Sequence, residues 1–157
     1  MIKAFIFDLS RVFLFPKVKD YDGELNELFR KLRKDPNFQF FDNFYLDENL
    51  LSFVELNLKD RYGVYMFTSG IIQNAPEIKG RLEEVFDKVI SAEEVGLKKD
   101  NPESYKKVLS SLGLKSEEVI FVDDTIKNII AAEKAGLNTI LYKNFYDFKK
   151  KLFSDLV

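Results

Sequence analysis

Four apolar residues in a row, Ala4-Phe5-Ile6-Phe7, run straight into Asp8 and the mixed stretch Leu9-Ser10-Arg11. A short unbroken run of strand-forming residues predicts a strand covered on both faces, as in a parallel sheet. The pattern recurs along the chain. Val64 to Phe67 ends on Thr68-Ser69-Gly70, Lys88 to Ser91 reads as a shorter strand, and Glu118 to Val122 ends on Asp123-Asp124. Asn138 to Tyr142 is a fifth strand.

Helical spacing fills the gaps. Leu25, Leu28, Phe29 and Leu32 recur on one face after Asp22, which is placed to cap the helix, and Asp35-Pro36 stops it. Asp47 caps a second helix bearing Leu50, Leu51, Val54 and Leu58. An irregular helical region opens at Pro76 and runs to Phe86. Asn101-Pro102 starts a further helix with Tyr105, Val108, Leu109 and Leu112, closed by Gly113. Thr125 is placed to cap a helix with Ile129, Ile130 and Ala131, closed by Gly136. Asn144 begins a last one with Phe145, Phe148, Leu152 and Leu156. Strands alternating with helices indicate a parallel α/β sheet with right-handed crossovers. The segment Phe38 to Tyr45, five aromatics in eight residues, has no clear period. It reads as a packed lid segment or as exposed surface.

Composition narrows the chemistry. A chain of 157 residues fits one domain with a single core. Cysteine and histidine are both absent, which removes disulfides, thiolate and imidazole metal sites, and every triad with a histidine base. Acid, base and metal chemistry therefore falls to carboxylates, lysine and hydroxyls, and all-oxygen ligand sets favour Mg²⁺, Mn²⁺ or Ca²⁺. The 24 basic and 26 acidic residues are interspersed, so no one-signed field points to nucleic acid. The basic triplet Lys149 to Lys151 reads as the solvated side of the last helix. No apolar run reaches the roughly 18 residues of a membrane span, and the amino terminus reads as a strand rather than a signal peptide. The expected location is the cytoplasm.

Parallel strands share one direction, so Asp8 with Ser10, Thr68-Ser69-Gly70, and Asp123-Asp124 fall on one rim of the sheet, where α/β folds place ligand crevices. The loop from Ala92 to Asn101 carries Lys99 and can fold back onto that rim. Three carboxylates together would repel one another by roughly 4 kcal/mol per pair at about 4 Å and an effective dielectric near 20. A divalent cation removes that repulsion. With Thr68 and the Ser69-Gly70 amides on phosphate oxygens and Lys99 balancing charge, an ionised Asp8 can attack phosphorus and form an aspartyl phosphate.

The order and wording of these segments resemble the haloacid dehalogenase-like (HAD) hydrolases, mostly magnesium-dependent phosphatases. FIFDLSRVFL is similar to the family's first motif, YMFTSG to its second, SAEEVGLKKDNPESY to its third and VIFVDDTIKNIIAAEKAGLNTI to its fourth. The resemblance implies Asp8 as nucleophile; Thr68, Ser69 and Gly70 as phosphate binders; and Lys99 as the charge-balancing lysine. It implies Mg²⁺ held by Asp8, the Ser10 carbonyl and Asp124, with Asp123 as a ligand or behind one. It further implies a Rossmann-like three-layer α/β/α core with a five-stranded parallel sheet in the order 5-4-1-2-3. The core would span residues 1–15 and 47–157, with a small, reduced helical cap at 16–46 whose aromatics offer a homodimer interface. A bacterial receiver domain uses similar residues but places paired acids after its first strand, whereas here they follow the fourth.

Two positions depart from the family pattern. The second aspartate of the first motif, a general acid and base, is replaced by Ser10, and the glycine that commonly follows is Arg11. The expected activity is a Mg²⁺-dependent phosphatase acting on a small phosphorylated substrate, reduced or narrowed because a serine hydroxyl is a poor proton donor. The alternative is a catalytically silent binding or regulatory protein on the same fold. Arg11 is expected either to occupy the site or to bind an extra anion.

Overall fold

In a computed structural model, residues 1–156 are described; Val157 and the side chains of Asp155 and Leu156 lie outside the described residues, so the face taken by Leu156 is not addressed. Seven strands and seven α-helices form among them: β1 (Ala4–Phe7), β2 (Leu14–Pro16), α1 (Leu25–Leu32), α2 (Phe40–Asn43), β3 (Phe44–Leu46), α3 (Glu48–Asn57), β4 (Gly63–Thr68), α4 (Pro76–Val85), β5 (Lys88–Ser91), α5 (Pro102–Leu112), β6 (Val119–Asp123), α6 (Ile126–Lys134), β7 (Asn138–Leu141) and α7 (Phe145–Leu156). No helix among them is long and apolar enough to cross a membrane.

Five strands form one parallel sheet in the order β5-β4-β1-β6-β7. The expected order 5-4-1-2-3 does not carry over as written. It was counted on five strands, whereas β2 and β3 also form and pair antiparallel as a separate ribbon, Leu14 opposite Leu46 and Pro16 opposite Phe44. β1 lies at the centre, and the β1 run is wholly buried, as an apolar strand between two helical layers must be. Period-two alternation splits its side chains between two cores. Phe5 and Phe7 join Val64, Met66, Ile120 and Val122 beneath α3, α4 and α7; Ala4 and Ile6 join Phe67, Val119 and Phe121 beneath α5 and α6.

Several local expectations are corrected. Asp22 does not cap α1: the cap position is Glu24, with no side-chain bond to the helix, and the helix is held by burying Leu25 and Phe29. The region after Pro76 is a regular ten-residue helix. Thr125 occupies the cap position of α6, but its hydroxyl makes no cap bond and donates to the Asp124 carboxylate instead. Asp47 and Asn101 do cap, accepting from the Leu50 and Glu103 amides at 3.1 and 3.0 Å.

The insert differs most from a helical cap. Its boundary at residue 16 falls inside β2, and β3 (Phe44–Leu46) pairs with that strand beside the two helices α1 and α2. The aromatic segment lacks a period because it is split between the single turn of α2 and the strand β3. Phe40 and Phe44 are buried and, with Leu25 and Phe29, join the same apolar cluster as Phe7 and Phe13 of the core. Phe41 and Tyr45 stay outside, Tyr45 stacked on Phe15 at 5.5 Å.

Candidate active site

Asp8 is the first residue past β1, its amide donating to the Val122 carbonyl at 2.9 Å, which extends the sheet ladder by one step. The chain then turns tightly, with the Leu9 carbonyl accepting from the amides of Val12, Phe13 and Leu14. This turn places Arg11 at φ +61°, a left-handed conformation that costs a non-glycine residue about 1 kcal/mol or more. Asp123 closes β6, the neighbouring strand, and Asp124 follows it.

Lys99 arrives from the β5-α5 loop and is almost fully buried, 5% exposed. Its ammonium lies 2.7 Å from Asp8 Oδ1 and 2.7 Å from Asp123 Oδ2, over the rings of Phe67 and Phe121 at 5.6 and 5.5 Å. The loop is fixed from below. The Tyr105 hydroxyl sits 2.6 Å from the Lys99 carbonyl and 3.2 Å from that of Asn128, and Ser104 Oγ accepts from the Lys98 amide.

Asp123 is engaged on both oxygens: Oδ1 accepts from the Thr125 amide, and Oδ2 from Asn128 Nδ2 as well as Lys99. One carboxylate oxygen each from Asp8, Asp123 and Asp124 lies within 4.8 Å of the others. Three carboxylates thus gather beside one ammonium, which bonds Asp8 and Asp123. Burial, followed by the charge of Asp123, pushes the Asp8 carboxyl up to about 7 despite Lys99. The same two causes push Asp124 up to about 6. Burial works against the charged form of Lys99, but Asp8 and Asp123 together outweigh it and hold the ammonium above its ordinary value. An all-oxygen cluster short of positive charge fits a hard divalent cation.

These groups open on a cavity of about 550 Å³, a size that suits a small ligand. Asp8, Ser10, Arg11, Ser69, Lys99 and Asp124 are on its wall. Thr68 and Asp123 lie behind that wall, fully buried, and the Thr68 hydroxyl has no hydrogen-bond partner among the described residues. Gly70 is turned into the packing: a Cβ there would meet the Asn26 carboxamide at 2.4 Å, and its carbonyl accepts from Gln73 Nε2 and Ser91 Oγ.

Sequence reasoning missed Asn26, Ser91, Tyr105 and Asn128. Asn26 Oδ1 accepts from the amides of Ile71 and Ile72 at 2.8 and 3.0 Å, clamping the turn after β4 from the insert. Asn26 and Asn128 are polar residues on otherwise apolar helix faces, and Ser91, like Thr68, is a polar strand end. Those were the available signals.

A doubly wound parallel sheet with an acid-lined crevice at the carboxyl ends of its central strands defines an α/β protein of the Rossmann-like kind. The sequence profile described as haloacid dehalogenase-like hydrolase matches residues 14–136, and the chain belongs to that family. Among curated relatives, it is 38% identical over 58 residues to the pyrophosphatase PpaX of Halalkalibacterium halodurans, covering 37% of this chain and 27% of the relative. It is 40% identical over 73 residues to the glyceraldehyde 3-phosphate phosphatase of Methanocaldococcus jannaschii, covering 45% of this chain and 32% of the relative. The chain thus spans about a third or less of the length of these two relatives. Among solved structures, a HAD family enzyme of Bacteroides thetaiotaomicron, crystallised with magnesium and inorganic phosphate, superposes with TM-score 0.69 at 18% identity, covering 91% of this chain and 95% of that one. A HAD-like hydrolase of Porphyromonas gingivalis gives 0.72 at 20%, covering 99% and 98%.

Proposed function

We propose that the chain is a Mg²⁺-dependent phosphatase-type hydrolase in which Asp8 is the nucleophile. The observation that carries this reading is the buried Asp8 carboxylate at the cavity wall, tied to Lys99 at 2.7 Å and grouped with Asp123 and Asp124. The relatives named as phosphatases and the neighbour crystallised with magnesium and phosphate support it.

Asp8, the Ser10 carbonyl and Asp124 would hold the ion, which supplies charge neutralisation to Asp8 and to the phosphoryl group. Asp123, with both oxygens taken by protein donors, positions Lys99 and the start of α6. An Asp8 oxygen attacks phosphorus, the bond from phosphorus to the ester oxygen breaks, and the aspartyl phosphate is released by water attacking the same phosphorus. Ser69 on the cavity wall would receive phosphoryl oxygens, with the unpartnered Thr68 hydroxyl behind it and Gly70 holding the turn; Lys99 offsets the charge that gathers there. Ser10 stands where the proton donor belongs, and a hydroxyl cannot protonate an alkoxide with comparable driving force. Activity is therefore reduced and narrowed to leaving groups that need little protonation, such as acyl or aryl phosphates.

On this reading residues 1–15 and 47–157 are the core and 16–46 a reduced cap. The cap is fixed rather than hinged, because Asn26 clamps the β4 turn, Arg30 pairs with Glu93 on the β5-α5 loop, and Arg11 Nη2 donates to the carbonyls of Tyr21 and Gly23. A reducing compartment such as the cytoplasm suits a chain without cysteine.

Assayed with Mg²⁺, aryl phosphates are expected to turn over at least about tenfold faster than alkyl phosphates, and Asp8→Asn to abolish both. Equal rates on the two classes, or activity surviving Asp8→Asn, would refute the assignment.

The raised carboxyls make a second expectation. A carboxyl whose folded value lies above its ordinary one stabilises the fold at low pH and loses that contribution as pH rises through the folded value. For Asp8 and Asp124 that window runs from about 4 up to about 7 and about 6 respectively. Without metal, their contribution to Tm falls as pH rises from about 4 to about 7 and is gone by pH 8; saturating Mg²⁺ offsets the loss. The Mg²⁺-induced rise in Tm is expected to be larger at pH 8 than at pH 5 by roughly 5 °C. Scanning fluorimetry with EDTA or MgCl₂ measures this, and equal increments at both pH values would contradict it.

A further inference from the structure

We propose that Arg11 forms a second anion subsite in the cavity, so that the favoured ligand carries a second oxyanion, a carboxylate or another phosphate, besides its phosphoryl group. This rests on the phosphoryl site proposed above. Arg11 lies three residues past Asp8 and lines the same cavity. Its backbone sits at φ +61°, where glycine is at ease and arginine is not, so the local fold does not call for an arginine. Its side chain is nonetheless held. Both hydrogens of Nη2 are spent on the carbonyls of Tyr21 and Gly23, at 3.0 and 2.8 Å, which fixes the guanidinium plane against the cavity wall.

Fixing one nitrogen leaves the Nε hydrogen and the two on Nη1, none of which meets a protein acceptor among the described residues. Among the described residues no carboxylate forms an ion pair with the guanidinium either. Asp22 and Glu24 share the wall but are exposed and form no ion pair with it, and Asp8 is paired with Lys99 instead. Arg11 is therefore tied to the insert rather than ion-paired with the nucleophile. It is a half-buried, preorganised cation with spare donors beside a phosphoryl site, and charge-assisted bonds to an oxyanion are what such a group makes best. Lys98 and Lys127 on the same wall are exposed and untethered, so they add field without geometry.

Asp8→Asn protein, saturated with Mg²⁺, binds without turnover and allows calorimetric titration with matched pairs. One pair is 3-phosphoglycerate against glycerol 3-phosphate, which tests a carboxylate; the other is fructose 1,6-bisphosphate against fructose 6-phosphate, which tests a second phosphate. The member with the extra oxyanion is expected to bind about tenfold or more tightly in at least one pair. That advantage should vanish in Asp8→Asn/Arg11→Gly while the partner lacking the extra oxyanion changes by less than about twofold. Glycine suits this backbone, and Arg11→Lys, which keeps the charge without the fork, is expected to retain only part of the preference. Equal affinities within both pairs, or a preference unchanged by Arg11→Gly, would overturn the proposal. If the preference holds but unsubstituted protein hydrolyses none of the four, the hydrolase reading fails and the subsite stands. If none of the four binds, both fall.

Discussion

Lys99→Met is expected to destabilise the metal-free protein by about 3–5 kcal/mol at pH 8, the usual cost of stripping one partner from a buried charge cluster. The methionine fills a comparable volume, so the loss is electrostatic rather than a cavity effect. Among the described residues the Lys99 ammonium is the cation bonded to both Asp8 and Asp123, and it is buried over the rings of Phe67 and Phe121. Without it, Asp8 and Asp123 face each other across the centre of the sheet. Their escape is protonation, which fixes the sign of the pH dependence. Lys99 holds the Asp8 carboxyl down against burial and Asp123, so its removal lets that carboxyl rise above about 7. The defect should therefore shrink as pH falls toward 5. Denaturant unfolding at both pH values measures it, and a loss under about 1 kcal/mol at pH 8 would contradict the charge balance described here. Lys99→Arg is not expected to rescue, because a planar fork does not fit a site shaped around a point charge between two oxygens.

Ser10→Asp is expected to raise kcat/KM for alkyl phosphates by about 10²–10⁴-fold while changing aryl phosphates by less than about tenfold. The asymmetry is the informative part. An alkoxide leaving group needs a proton as the bond to phosphorus breaks, whereas a nitrophenolate does not. Ser10 is half-buried on the cavity wall, bridged to Leu14 by the turn that follows Asp8, so a carboxylate introduced there faces the same space. A parallel rise for both classes would mean that Ser10→Asp acts on binding rather than proton transfer. No rise at all, with no Mg²⁺ binding, would favour a silent protein that keeps the fold alone.

What could be read from the sequence followed from how local its causes are. β5 was legible at its observed bounds because the β-branched pair Val89-Ile90 between polar Lys88 and Ser91 is a local pattern. The start of α5 was legible because Asn101 and Pro102 act within one turn. The β2-β3 ribbon was not: three-residue strands carry no period, and Pro16 pairs with Phe44 from the far end of the insert rather than with its chain neighbours. The Phe38 to Tyr45 stretch stayed open between packed and exposed for the same reason: Phe40 and Phe44 are buried with Leu25 and Phe29 of α1 and the core, whereas Phe41 and Tyr45 stay outside.

The site divides along the same line. Acids at strand ends announce themselves, because an apolar run that stops on Asp8 or Asp123 is a local pattern. Asn26 does not announce itself: its acceptor role depends on amides 45 and 46 residues away. Tyr105 reads as a core ring, and it is one, edge-on to Phe67 and Phe121. Its hydroxyl, which ties the Lys99 loop to α6, becomes visible only once both backbones are in place. Arg11 shows the limit most clearly. Its departure from a glycine is plain in the sequence, but whether it blocks the nucleophile or leaves it open depends on two carbonyls in the insert.

The most direct test is a crystal of the full chain soaked with magnesium and beryllium fluoride, a mimic of the phosphoryl group. The predicted result is fluoride-ligated density continuous with an Asp8 oxygen, with an ion beside it touching Asp8, Asp124 and the Ser10 carbonyl. Anion density anywhere else in the cavity, with Asp8 still engaged only by Lys99, would contradict the role assigned to Asp8.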